Sequence, residues 1–148
     1  IRHLQEQLGY QDVAAINVLE EHELLASEKK WDLFLVPEVL EHIDDPVSFL
    51  SGIRKAHAER VERFIVTVPN AFRRTNRKES SRGREVINSD HRYWFTPYTL
   101  AKVAAQAGFE VERIRTCMQG RIKKRHFFRN FRLRRQPFLR DNLVIWLK

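Results

Sequence analysis

The chain is short of cysteine, of clustered glycine, of long apolar runs and, over its last quarter, of acid. Its single cysteine, Cys117, excludes an internal disulfide and points to a reducing compartment such as the cytoplasm. No Cys/His spacing of the zinc-finger kind is present. The five glycines stand apart at positions 9, 52, 83, 108 and 120. They form no glycine-rich turn of the sort that lets backbone approach a ligand closely. No apolar run approaches the roughly 20 residues that span a bilayer, and no signal-peptide pattern is visible.

The shortage of acid is local. Residues 113–148 carry 12 Lys/Arg and 1 Asp/Glu, a net +11. Residues 71–112 carry 8 and 5, and residues 1–70 carry 7 and 13. The overall +8 is therefore a basic end on an acidic body. That asymmetry suggests an anionic partner for the basic end and says nothing about fold. A length of 148 residues, 43% of them hydrophobic, suits one domain with a buried core.

What is present alternates. Ile1, Leu4 and Leu8 have helical spacing, with Gly9 as a stop. Asp12 to Val18 reads as a short strand, and Glu20 to Lys30 as a polar turn and loop. Leu33 to Val36 is a continuous apolar run, the pattern of a strand buried on both faces. Pro46 suits the first turn of a helix capped by Asp44 or Asp45. That helix has Val47, Phe49, Leu50 and Ile53 as its apolar face and fades near Ala58.

Phe64 to Val68 is the next buried strand. Residues 71–90 lack apolar period and read as a long loop. Thr96-Pro97 opens a helix with Leu100, Val103, Ala104 and Ala107 inward, and Gly108 ends it. Phe109 to Thr116 and Leu143 to Leu147 are strands. Alternating strands and helices predict a doubly wound α/β sheet.

Chemistry concentrates where the strand at 33–36 ends. Pro37 is followed by Glu38, Glu41 and His42, and then by Asp44-Asp45-Pro46. Open parallel sheets bind ligands beyond the carboxyl ends of their strands. If Pro37 starts a helical turn, Glu38, Glu41 and His42 share one face. Such a group can relay a proton, hold a divalent metal, or simply brace the turn by hydrogen bonds. A neutral imidazole with pKa near 6.5 suits proton abstraction from a hydroxyl. A second histidine, His91, stands in a loop beside Arg92, Tyr93 and Phe95. It is either a base or substrate contact, or a pin for the loop. Asn70 closes the strand at 64–68 and either lines a cavity or satisfies a turn.

Four segments carry a resemblance. Val39-Leu40-Glu41-His42 with its Asp-Pro, Phe64 to Asn70, His91 to Pro97, and Ala107 to Val111 occur in an order similar to that of class I S-adenosylmethionine-dependent methyltransferases. The nearest group is the quinone and small-molecule O-methyltransferase type, and the likeness spans roughly residues 10 to 116. It implies a Rossmann-like doubly wound sheet, mostly parallel with an antiparallel final strand. It implies S-adenosylmethionine as cofactor, held near Asn17, Val18 and Leu19 and against Val36 and Pro37. Where the family commonly has aspartate, this chain has Asn17, which still accepts a hydrogen bond from an adenine amine. The acceptor would be a small molecule, a hydroxyl compound being the case that needs a base. His42 or His91 would be that base, supported by Glu41, with Glu38, Asn70, Arg92 and Tyr93 toward the substrate. Some members of the group place a magnesium-type ion near this motif.

The family's glycine-rich turn and the acidic residue ending the second strand have no counterpart here, and Ile1 reads as mid-helix. The expectation is a partial methyltransferase domain over 1–148, lacking the first βαβ portion and binding cofactor poorly as it stands. About 118–140 a basic insertion precedes the last strand, with Lys123, Lys124, Arg125, Arg129, Arg132, Arg134 and Arg135 among Phe127, Phe128, Phe131, Leu133 and Phe138. It is either a solvated insertion, a contact for an anionic or lipid-linked acceptor, or a nucleic-acid surface. The rival to an enzyme is a non-catalytic module that uses this segment to hold nucleic acid or a membrane surface.

Overall fold

The structure, a computed structural model, describes residues 30–118, 131 and 133–148. The expected helix at 1–8, the strand at 12–18 and most of the basic segment lie outside the described residues. Four strands form one sheet, β1 (Trp31–Pro37), β2 (Val61–Pro69), β3 (Val111–Cys117) and β4 (Asn142–Leu147). The order across it is β1-β2-β4-β3. β1 and β2 are parallel. β4 runs antiparallel to both β2 and β3, so β1, β2 and β3 share one direction. This is the α/β sheet that the alternation predicts, with the antiparallel last strand that the resemblance implies.

Register explains the core. Phe64, Val66 and Val68 pair with Leu147, Ile145 and Leu143. All six point to one face and are buried. Two helices cover that face, α1 (Pro46–His57) and α3 (Pro97–Gln106), which also touch each other. Phe49, Leu50 and Ile53 of α1 and Leu100 and Ala104 of α3 are buried, as their spacing predicts. Asp45 caps α1 by accepting the Ser48 N–H at 2.9 Å. Thr96 and Thr99 close a reciprocal cap on α3. Gly108, at φ 89°, leaves the helix in a conformation that suits glycine.

Three local expectations change. Among the described residues the apolar run of β1 is covered on one face only: Leu33 is 42% and Leu35 58% exposed. The reason is that α1 and α3 lie on the same side of the sheet. Within the expected loop at 71–90 there is a short helix, α2 (Arg74–Ser80). None of its residues is buried, so it leaves no apolar period in the sequence. Pro37 does not start a helical turn. It stays in β1, paired with Thr67, and the helical geometry is confined to one 3₁₀ turn at Leu40–His42.

Candidate functional site

The carboxyl ends of β1 and β2 lie side by side, and the backbone between β1 and the 3₁₀ turn is tightly held. Glu38 has φ 52°, the one left-handed non-glycine among the described residues. Such a conformation costs on the order of 1–3 kcal/mol unless its surroundings enforce it. Here its N–H donates to the Thr67 carbonyl at 2.9 Å and lies 3.2 Å from Thr67 Oγ1. Its Oε1 accepts from Thr67 Oγ1 at 2.8 Å and from Asn142 Nδ2 at 3.1 Å. The carboxylate thus ties β1 to β2 and β4. Glu38 does not stand on a helical face with Glu41 and His42, because the left-handed step turns it back over the sheet.

Glu41 and His42 lie on the 3₁₀ turn. Glu41 is 1% exposed, and its Oε2 is buried with no hydrogen-bond partner. Its Oε1 lies 3.8 Å from His42 Nε2. Burial raises the Glu41 pKa above the ordinary carboxylate range. Its own backbone N–H opposes that shift, the negative charges of Glu38 and Asp90 add to it, and His42 opposes it.

His42 Nδ1 lies 3.1 Å from the Asp90 carbonyl oxygen. A carbonyl only accepts, so Nδ1 carries a proton in this contact, and Nε2 is the nitrogen on the Glu41 side. His91 meets His42 edge to face, with ring centroids 4.7 Å apart, and its Nε2 is 3.2 Å from the Asn88 amide nitrogen. One donor atom each from Glu41, His42 and His91 lies within 4.8 Å of the others. One divalent cation could bridge such a set, and imidazole with carboxylate suits zinc, iron or manganese.

The segment around His91 is docked by its neighbours. The Arg92 N–H donates to the Glu41 carbonyl at 2.7 Å, the Arg92 guanidinium pairs with Asp44, and the Tyr93 hydroxyl donates to the Asp44 carbonyl at 2.6 Å. Arg92 and Tyr93, the expected substrate contacts, are thus engaged with the 41–44 turn while remaining exposed. Asn70 is fully buried. Its Oδ1 accepts from the Phe72 N–H at 3.0 Å, and its Nδ2 donates to the carbonyls of Phe138 and Arg140. Val36 is a core residue, and Pro37 is exposed at the end of β1, the outermost strand among the described residues. Asn17, Val18 and Leu19 lie outside the described residues.

Sequence reasoning missed Thr67, Asn88, Asp90 and Asn142 as partners of this site. Only Asp90, adjacent to His91, carried any signal; the others act through contacts that no local pattern encodes.

Comparison with known proteins agrees with this fold. A family model described as "Methyltransferase domain" matches residues 4–114. No curated protein matches the sequence. Among solved structures, the fold is similar to that of an S-adenosylmethionine-dependent methyltransferase from Archaeoglobus fulgidus, at TM-score 0.53 and 15% identity, covering 95% of this chain and 68% of that one. It is also similar to magnesium protoporphyrin IX methyltransferase from Synechocystis PCC 6803 with bound SAH, at TM-score 0.52 and 14% identity, covering 97% and 54%. A small RNA methyltransferase matches at TM-score 0.53 and 13% identity, covering 81% and 14%. The chain spans 14% of the small RNA methyltransferase and about half of the porphyrin enzyme. The family match covers residues 4–114, well over half of the chain, and on that ground this chain belongs to the methyltransferase domain family.

Proposed function

We propose that the chain forms the acceptor-side part of an S-adenosylmethionine-dependent methyltransferase that acts on a hydroxyl of a small, anionic molecule. The observation that carries this reading is His42, held by its Nδ1 3.1 Å from the Asp90 carbonyl with Nε2 3.8 Å from Oε1 of buried Glu41. It stands at the carboxyl end of β1, where open α/β sheets bind their ligands. The bound cofactor supplies an electrophilic sulfonium methyl, and the protein supplies positioning. Pro37 suits a cofactor contact because it is exposed at that strand end; Val36, buried, offers backbone only. His42 takes the acceptor proton, Glu41 steadies the imidazolium, and Glu38 holds the floor of the site through Thr67 and Asn142. Among the described residues no helix is long and apolar enough to cross a membrane.

Calorimetry with S-adenosylhomocysteine on the full-length protein tests the reading. Stoichiometric binding is the expected result, and no heat at millimolar ligand would overturn it.

A second reading is favoured by one observation, the unpartnered, buried Glu41 Oε2. In it Glu41, His42 and His91 hold a divalent cation, which would grip an acceptor oxygen as a Lewis acid. Metal content after dialysis against Mn²⁺ separates the two. One equivalent in the wild type and none in Glu41→Gln is expected of the metal site; no retained metal in the wild type removes it.

A further inference from the structure

A second concavity lies beyond Asn70. Residues 71–86, Trp94 and Phe138-Leu139 enclose a cavity of 780 Å³, within the range of small-molecule sites. None of Glu38, Glu41, His42 and His91 lines it. It nevertheless adjoins them in the chain, because Trp94 of its lining follows His91 by three residues in the stretch that ends at the Asn70–Phe95 bridge. That stretch is tied to β2 by the Ala71 N–H donating to the Phe95 carbonyl at 2.8 Å.

The walls are built. Asn70 clamps the segments that bear Phe72 and Phe138 through its three side-chain hydrogen bonds. The two rings stack with centroids 4.7 Å apart at 25°, yet Phe72 is 41% and Phe138 49% exposed. Trp94 is fixed by its Nε1–H donating to Glu85 at 2.9 Å, and the Arg73 guanidinium covers its ring. Three oriented aromatics left accessible around one concavity make a surface for a flat apolar body.

The charge around them is uneven. Residues 73–84 hold Arg73, Arg74, Arg77, Lys78, Arg82 and Arg84 against one acid, Glu79. Glu79 answers Arg82 and Arg84, and Glu85 on the opposite wall is engaged by Trp94. Arg77 lines the cavity with no ion pair or hydrogen bond from its guanidinium among the described residues. A free guanidinium fork suits a carboxylate or phosphate in a bidentate manner. The helix that presents it, α2, buries nothing in the core, so core packing does not account for its position.

We propose that this cavity binds the methyl acceptor, and that the acceptor is a flat aromatic small molecule bearing a carboxylate or phosphate. Its ring lies against Phe72 and Trp94, and its anion meets Arg77. Calling the ligand the acceptor rests on the methyl-transfer reading; the existence of the site does not.

The experiment is an equilibrium titration of the full-length protein with 2-naphthoate and with its neutral counterpart 2-naphthalenemethanol. The expected result is binding of both, with Arg77→Gln weakening 2-naphthoate by about tenfold or more, as loss of a charged hydrogen bond does. The neutral compound should be unaffected by that change. Arg77→Lys restores part of the affinity, and Phe72→Ala weakens both compounds. Circular dichroism confirms that each variant is folded, and Arg77, exposed, carries the test if Phe72→Ala is not. Failure of either compound to bind at millimolar concentration overturns the site, as does 2-naphthoate affinity indifferent to Arg77→Gln. Parallel titration with S-adenosylhomocysteine keeps the two ideas apart. Naphthoate binding without cofactor binding leaves the cavity and removes methyl transfer; the converse does the opposite.

Discussion

His42 draws its chemistry from the carbonyl of Asp90. With Nδ1 donating to that carbonyl, Nε2 is the atom that would take the acceptor's proton in the proposed reaction. Replacing His42 by Gln should lower kcat by about 10²–10⁴-fold while leaving S-adenosylhomocysteine affinity unchanged. A fall of less than about tenfold would show that another group is the base. Gly108 is a structural case at the same scale. At φ 89° a side chain is strained, and an added Cβ would lie 3.4 Å from Arg54 Nη1. Gly108→Ala should destabilise by about 1–2 kcal/mol in urea unfolding. Glu41, His42 and His91 were legible in the sequence because their residue types carry chemistry wherever they stand. The direction of Glu38 was not legible, since a left-handed step at a glutamate is enforced from β2 and β4 rather than by its neighbours in sequence.

Among the elements, α1 and α3 were legible because their signals are local. A cap, a proline in the first turn and apolar residues three and four apart all lie within one stretch of chain. Asp45 gives a pH-dependent test. Hydrogen bonds from the Ser48 side chain and backbone hold its carboxyl below its ordinary value near 3.8. A lowered folded-state pKa means the stabilisation is fully present above that ordinary value and is lost as pH falls through the lowered one. Asp45→Ala should therefore lower the melting temperature clearly at pH 6, and the gap from wild type should shrink toward pH 3. A gap that does not change with pH would show that the cap works without its charge. The element that stayed hidden, α2, is held without an apolar face, and periodicity has nothing to report there. The strand β1 shows the converse error. A continuous apolar run states that burial on both faces is tolerable, but the helices that would cover the second face are not specified by the run itself.

The molecule as a whole is organised by β4. It enters between β2 and β3, and its Leu143, Ile145 and Leu147 are fully buried against strands far from them in sequence. Ile145→Ala should cost about 2–5 kcal/mol, measured by denaturant unfolding. A loss under about 1 kcal/mol would mean that the central position of β4 is misassigned. The basic end is a whole-molecule property too, and half of its Lys and Arg residues lie among the described residues. Arg113, Arg115, Arg134 and Arg135 are exposed, whereas Arg140 is half-buried and donates to the carbonyls of Leu133 and Thr116. Net charge therefore does not translate in full into a surface for an anion.

The sequence by itself determined the alternation of strands and helices, the caps, the inward faces and the residue types at the strand ends, because each depends on neighbours within a few positions. Tertiary structure alone decided which of those residues meet. Glu41 and His42 reach His91 only because Arg92 and Tyr93 bind the 41–44 turn. Glu38 faces Thr67 and Asn142 only because β1, β2 and β4 are neighbours. The aromatic cavity exists only because Asn70 joins segments about 70 residues apart. Hydrogen bonds across such separations leave no period in the chain, so the site becomes visible only when the sheet has formed.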